Sequence, residues 1–249
     1  MTEKETHAQQ KDAAGGPAEG GRRSGWGRLW AEWVKPFLMV LIVVGSLRSA
    51  VADWNDVPTG SMRPTILEGE RIFVNKLAYD LKVPFTRLRV ARWGVPDRGD
   101  VVVLYSPADG KRLVKRVVGL PGDTLQMVHG YLYINGSRAA YQPFAPTDRD
   151  ALGLGGEPRE TVLWERIGQA SHPVTWTERQ PSIRDFPPRV VPSDSYFVMG
   201  DNRDNSRDSR WFGFVDRSRI VGRATAVVIS LDFEAHYAPR WHRFFHAMP

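Results

Sequence analysis

Apolar positions run through three successive regimes along this chain. From Met1 to Gly25 there is hardly an apolar side chain among Glu, Lys, Gln, Ala and Gly, a composition that cannot offset the entropy of ordering and predicts a flexible tail. Trp26, Trp30 and Trp33 then recur at helical spacing among Arg22, Arg23, Arg28 and Lys35. That is the pattern of a helix entering a membrane surface with its rings at headgroup level, or else of an amphipathic core helix. Val34 to Asp53 is a twenty-residue stretch between Trp33 and Trp54, with Phe37 to Leu47 as its apolar heart. At about 1.5 Å per residue it reaches roughly 30 Å, the thickness of a hydrocarbon core. Arg48 intrudes within two turns of the far end, where a long stem carries the charge to the interface. One membrane anchor is expected, and its basic upstream flank places the tail in the cytoplasm and everything after Trp54 outside. A cleavable secretory signal competes with it, because Ala50-Val51-Ala52 has the small-x-small form of a cleavage site; the long polar lead and Arg48 argue against that reading.

Beyond Trp54 the period changes from helix to strand. Arg71–Val74, Val101–Tyr105, Lys111–Val118, Tyr131–Ile134, Ser195–Met199 and Ile220–Leu231 read as strands. Turn chemistry separates them at Arg98-Gly99-Asp100, Ser106 to Gly110, Leu120 to Asp123 and Asn135-Gly136. Asn135-Gly136-Ser137 also matches a glycosylation sequon, for which the hairpin turn is the better reading. Between Ser137 and Ser193 the composition shifts towards Pro, Gly and Arg, with one hairpin formed by Thr161–Arg166 and Pro173–Thr177. The expected fold class is mainly β, with a single amino-terminal transmembrane helix and a smaller β-rich insertion. The expected organisation is a tail over 1–25, a membrane-entry and transmembrane helix over 26–54, a β core over 55–136 and 193–249, and the insertion over 137–192.

At 249 residues, 42% hydrophobic and 11% aromatic, the chain has enough apolar material for a real core. Thirty-four basic against 28 acidic residues give a net charge of +6, which makes anionic surfaces, lipid or nucleic acid, plausible neighbours. The absence of cysteine excludes disulfides, a thiol nucleophile and Cys-ligated zinc.

Ser61 stands between Gly60 and Met62 in a segment bracketed by Pro58 and Pro64. Each proline fixes φ and lacks an N–H, which holds the serine on a stiff, extended or turning stretch, and Gly60 leaves room for another backbone to approach. Such a serine is a turn residue or a nucleophile. A nucleophile needs a base, and His7, His129, His172, His236, His242 and His246 lie in the tail, the insertion or the terminal regions, with His129 alone inside the expected core. Lys115 is the better candidate: it shares a strand face with Leu113 and Val117, where desolvation disfavours the charged amine. The alternative is an exposed Lys-Arg pair with Arg116. The polar loop Gly200–Arg210 fails as a calcium loop, because position three from Asp201 is Arg203, and from Asp204 the required glycine is Ser209 and the closing glutamate is Val215. It reads as a solvated turn cluster or a self-bonded loop in which Asp208 pairs with Arg210 and Ser206 offers a hydroxyl to orient an amine. No metal or cofactor is expected.

Pro58 to Thr65, Gly99 to Val103, Lys115 to Asp123 and Gly200 to Arg210, in that order and behind an anchor, resemble the motif set of bacterial type I signal peptidases. The resemblance covers Val34 to Asp123 and Ser193 to Leu231. It implies a membrane-anchored, mainly β serine endopeptidase with a Ser/Lys dyad, which removes signal peptides from exported preproteins on the outer face of the inner (plasma) membrane. By position, Ser61 would attack the scissile carbonyl and a neutral Lys115 would take its proton. Ser206 would hold the amine, Asp208 and Arg210 would brace the loop, and the Ser61 N–H with the Thr59 hydroxyl would face the oxyanion. Many relatives have serine where this chain has Thr59, whose methyl stiffens χ1. Val57, Ile66, Ile72, Val103 and Val114 match the shallow apolar pockets with which the family selects small residues one and three positions before the cut. The peptide would bind by strand addition along the Lys115 strand. The implied partners are signal peptides and membrane lipid, with no nucleic acid. Two alternatives remain: a Ser/Lys protease of this type specialised for one substrate such as a pilin, and a non-enzymatic, membrane-anchored binding module. A self-cleaving repressor is disfavoured by the anchor, and a penicillin-binding enzyme by Pro64 where that class needs lysine. Ala50-Val51-Ala52, just upstream of the serine, also raises self-processing.

Overall fold

A computed structural model of the chain describes residues 25–86, 88–145, 147–148, 152, 160–177, 182–233 and 235–248; the flexible tail expected before Gly25 lies outside them. The chain divides between Val44 and Gly45 into two compact units.

Gly25–Leu29 is helical, Trp30–Val34 forms a π-helical turn, and Lys35–Ala50 continues as α-helix. Across Trp30–Ala50, 21 residues of mean hydropathy 1.5, the apolar side chains stay uncovered while the helix satisfies its own backbone. This helix is long and apolar enough to cross a bilayer. It ends at Ala50, three residues short of the expected Asp53, and a strand begins at Ala52. The cause is charge. Lys76 Nζ donates to Arg48 O (2.9 Å) and Ser49 O (3.1 Å), placing a cation on the negative end of the helix, while Asp53 pairs with Lys76 (3.2 Å) and Arg48 (3.1 Å). Arg48, expected to reach for the interface, also lies 5.4 Å over the Trp54 ring.

The strands of the second unit begin with β1 (Ala52–Val57), β2 (Glu70–Asn75), β3 (Asp80–Lys82), β4 (Arg89–Arg92), β5 (Val101–Tyr105) and β6 (Arg112–Gly119). There follow β7 (Thr124–Val128), β8 (Tyr131–Ile134), β9 (Ser137–Arg138), β10 (Ala140–Pro143), β11 (Glu160–Ile167) and β12 (Ala170–Thr177). The last are β13 (Phe186–Val190), β14 (Ser195–Met199), β15 (Val215–Asp216), β16 (Ile220–Asp232), β17 (Ala238–Pro239) and β18 (His246–Ala247). The main sheet runs β1-β2-β16-β5-β6-β14-β15 with antiparallel neighbours, and β17 and β18 pair onto β16. The expected insertion supplies the sheet β10-β11-β12, whose central hairpin is the one its pattern predicted. It also sends β13 to pair with β7 in the sheet β13-β7-β8-β9, so its end is built into the fold. Val101 to Leu104 are buried on both faces of β5, as an unbroken apolar run predicts. Asn135 and Gly136 take left-handed φ of 51° and 80° in the β8–β9 turn, the chemistry expected of that dipeptide.

A buried ion pair pins the C-terminal segment beneath the serine stretch. Arg243 forks onto Glu70 and donates to Thr65 O (2.9 Å), while Glu70 also accepts from Leu67 N (2.9 Å). Removing one partner strands the other charge. Arg243→Met should therefore lower stability by about 3–5 kcal/mol, and Arg243→Met with Glu70→Gln should recover part of it, as read by urea denaturation of the chain in detergent.

Candidate active site

Ser61 occupies the middle of a 3-10 turn, Gly60–Met62, entered from Thr59 in extended conformation and closed by Arg63 N donating to Gly60 O at 3.1 Å. The Arg63–Pro64 bond is cis. Met62 and Ile66 are fully buried, so the turn is fastened into the core just after the serine. Gly60 does not admit a backbone, as its sequence suggested; a Cβ there would collide with the Glu68 carboxyl and the Arg63 stem. The glycine that admits a backbone is Gly200, where a Cβ would strike Ser61 O and the Ser206 side chain. Loop 200–210 thus packs on the serine's own peptide, and Asn202 N donates to Ser61 O at 3.2 Å.

Lys115 lies midway along β6, opposite Val102 of β5. It is 2% exposed, with Nζ 2.7 Å from Ser61 Oγ and 2.9 Å from Val114 O. The exposed Lys-Arg alternative is thereby removed, for Arg116 is buried as well. Burial pushes the Lys115 amine down from 10.5 to about 8; Asp208 and Asp201 pull the other way and Arg210 reinforces the fall.

Both nearby carboxylates already have arginines. Asp208 accepts from Arg210 Nε (2.9 Å) and Nη2 (2.8 Å), and from Gly200 N (2.9 Å), while it caps the helical turn Ser209–Phe212. Asp201 accepts a fork from Arg116 (2.9 and 2.8 Å) and the Thr65 hydroxyl (2.5 Å), and Arg116 Nη1 donates to Gly99 O (2.7 Å). Burial alone would raise both acids, but the guanidiniums hold each below the usual carboxylate range.

The other expected site residues are placed as follows. The Ser206 hydroxyl is buried on the loop beside Asp208, and the Lys115 amine bonds to Ser61 and Val114 rather than to it. Thr59 is exposed and its side chain does not cap the serine turn. Val57, Ile66, Ile72 and Val103 are closed off from solvent because they pack on one another in one core cluster; Val114, at its edge, stays half-buried. His129, the histidine assigned to the core, is exposed in the turn after β7, and among the described residues the buried histidine is His172 of β12.

His172 belongs to a second buried group that sequence reasoning missed. Its Nε2 lies 3.1 Å from Glu165 Oε2, and Glu165 forks onto Arg203 of the loop. Thr175 N donates to Asp201 O (2.9 Å) and Arg203 N to Thr175 O (2.8 Å), so β12 holds the loop backbone as well. Burial favours neutral forms throughout this group, yet Arg203 keeps Glu165 ionised and well below its usual range, while burial and Arg116 lower His172. The only local signal was polar residues at inward positions of β11 and β12.

Residues 30–229 match the family of signal peptidases, peptidase S26. Signal peptidase I of Pseudomonas aeruginosa is 37% identical over 214 residues, covering 81% of this chain and 73% of that protein. Signal peptidase I P of Bacillus subtilis subsp. natto is 35% identical over 210 residues, covering 82% and 92%. A solved signal peptidase I from Enterococcus faecalis V583 superposes with a TM-score of 0.32 and 30% identity over 52% of this chain and 97% of that one. The family and the uncovered apolar helix are those of a membrane-anchored protein whose substrates are the signal peptides of preproteins. The chain belongs to the S26 signal peptidases, serine endopeptidases.

Proposed function

We propose that Ser61 is the nucleophile of this peptidase and Lys115 its general base and acid. The observation that carries the assignment is a lysine amine 2.7 Å from a serine hydroxyl, with burial drawing its pKa to about 8. In its neutral form the amine donates to Val114 O and turns its lone pair to the Ser61 hydroxyl, which then donates. Ser61 Oγ attacks the scissile carbonyl carbon as its proton passes to Lys115 Nζ. Collapse of the tetrahedral intermediate breaks the C–N bond, and Lys115 returns the proton to the leaving amine, leaving an acyl-serine. Water, deprotonated by the same amine, hydrolyses that ester and restores both groups. The Ser61 N–H and the Thr59 hydroxyl face the oxyanion, the latter after a rotation of its exposed side chain. Val57, Ile66, Ile72, Val103 and Val114 set the wall against which small residues one and three positions before the cut are selected. Ser206 keeps a hydroxyl in reserve beside the dyad, where Asp208 and Arg210 brace its loop. Trp30–Ala50 crosses the inner membrane with its basic flank in the cytoplasm, which puts the dyad on the outer face.

In detergent or lipid, the intact chain should cut a preprotein with an Ala-x-Ala site after the second alanine, while Ser61→Ala and Lys115→Ala each lose about a thousandfold or more in kcat/KM. A Ser61→Ala enzyme as fast as its parent would remove the assignment. Because the base must be neutral, kcat/KM should rise about tenfold per pH unit below pH 8 and level above it, following the Lys115 value of about 8. A profile that falls between pH 6 and 8 would contradict a lysine base.

The same shift sets a stability slope. An unfolded lysine titrates near 10.5 and the folded one near 8, so between those values the unfolded state holds the extra proton and stability rises with pH. Below pH 8 both states are protonated and the native state carries a buried charge. Lys115→Met, inactive, should therefore be more stable than the parent at pH 7 by up to about 3 kcal/mol, a gain that vanishes towards pH 10.5 in denaturant titrations.

A further inference from the structure

The second unit contains a basic cavity and an apolar hairpin that the peptidase chemistry does not use. The cavity, of about 660 Å³, is lined by five cations: Lys76, Lys82, Arg89, Arg112 and Arg219. The carboxylates that answer them are Asp53, paired with Lys76 and Arg112, Asp80, paired with Lys82 and Arg89, and Asp216 on the cavity wall. Five positive charges against three negative ones leave an excess. Arg219 contributes most plainly, since its described contact is a carbonyl, Ser106 O at 3.4 Å, and not an acid. Lys82 points both carbonyl-bound and inward, donating to Ile220 O (3.2 Å) and Val221 O (2.8 Å), and its burial lowers the amine's pKa. A recess with unanswered positive charge favours an anion.

The hairpin β3–β4 and the segment after it supply the second observation. Phe85, Leu88, Val90, Trp93 and Val95 are each more than half exposed, five large apolar side chains spaced among arginines within eleven residues, which a ribbon facing only water has no reason to carry. Phe85 and Thr86 at its tip also line the basic cavity. The tip is tied to the end of the apolar helix, for Phe85 N donates to Ser49 Oγ at 2.7 Å, and a Cβ on Gly45 would touch the Phe85 ring at 3.3 Å. Ser49 lines the cavity too. Cations, apolar tip and helix end therefore meet at one level, the level at which the anchor leaves the bilayer.

We propose that this cavity binds the headgroup phosphate of an anionic membrane phospholipid, with the apolar hairpin against the acyl chains. The assignment rests on reading Trp30–Ala50 as a membrane span. A soluble anion would meet the same cations, but it would have no use for the exposed Phe85, Leu88 and Trp93. The bound lipid bridges the hairpin, the end of the anchor and Arg112, the first residue of the strand that carries Lys115.

The test uses the full chain in phosphatidylcholine nanodiscs containing a minor fraction of phosphatidylglycerol, with native mass spectrometry counting the lipid kept after transfer to mild detergent. Ser218→Glu puts a carboxylate into the cavity from an exposed position, and Arg219→Gln removes the cation without an acid partner. The parent should keep one phosphatidylglycerol in preference to phosphatidylcholine, and each variant should hold it about fivefold more weakly, the effect of one charge near an anionic surface. Both variants should still cleave preprotein in micelles as the parent does, which shows them folded. Equal retention by parent and variants, no retention by the parent, or no preference over phosphatidylcholine overturns the proposal. Displacement by millimolar glycerol 1-phosphate assigns the cavity to a soluble anion and also overturns it. A chain that does not enter nanodiscs at all refutes the membrane span itself, which co-flotation reports separately.

Discussion

The structure depends on keeping one amine dry. Lys115 is buried with no carboxylate of its own, and burial disfavours its charged form. Two aspartates nevertheless lie close enough to oppose its shift. Their effect is limited because each is already committed: Asp201 to Arg116, the neighbour of Lys115 on β6, and Asp208 to Arg210, two residues along its own loop. A carboxylate with a forked guanidinium and further donors gains little from a second cation. The arginines thus neutralise the acids that would otherwise charge the lysine, and the acids fix the loop that covers it. The lowered pKa of Lys115 and the order of the loop depend on the same ion pairs.

That loop is also held from the side away from the serine. Asn202 reaches the Ser61 carbonyl, while Arg203 reaches Glu165 and the Thr175 carbonyl in the β11–β12 hairpin. The hairpin belongs to the segment that sequence alone set apart as an insertion, yet its inward polar residues complete the buried network. Burying Glu165 and Arg203 is tolerable because they satisfy one another; loss of either would leave a bare charge in or beside loop 200–210. The segment is therefore a support for the site and not an appendage.

Much of this was legible in order along the chain. The strands β5, β8, β14 and β16 follow from apolar runs and alternation bounded by glycine, proline and asparagine, and the Ser61–Lys115 pairing from a serine in a proline-bracketed turn and a lysine on an apolar strand face. What sequence did not reveal depends on residues far apart in number. The helix stops at Ala50 because Lys76 reaches back to its carbonyls, and no local period carries that information. Arg116 and Asp201 meet across 85 residues, Glu165 and Arg203 across 38. His172 looked peripheral because its segment did, and Gly60 drew the notice that Gly200 warranted, since both readings required knowing which backbone would arrive.

The early end of the helix has a mechanical consequence. Had it run on to Asp53, the serine would hang from the anchor by a short peptide. Instead β1 starts at Ala52 and pairs with β2 in unbroken register from Ala52–Asn75 to Val57–Glu70. Ala52 is thereby held in the sheet, opposite Asn75. Six paired residues span on the order of 20 Å, so the step from the anchor's last turn to the serine stretch is a strut of set length. β1 thus fixes the length of chain between the point where the helix stops and the turn that carries Ser61.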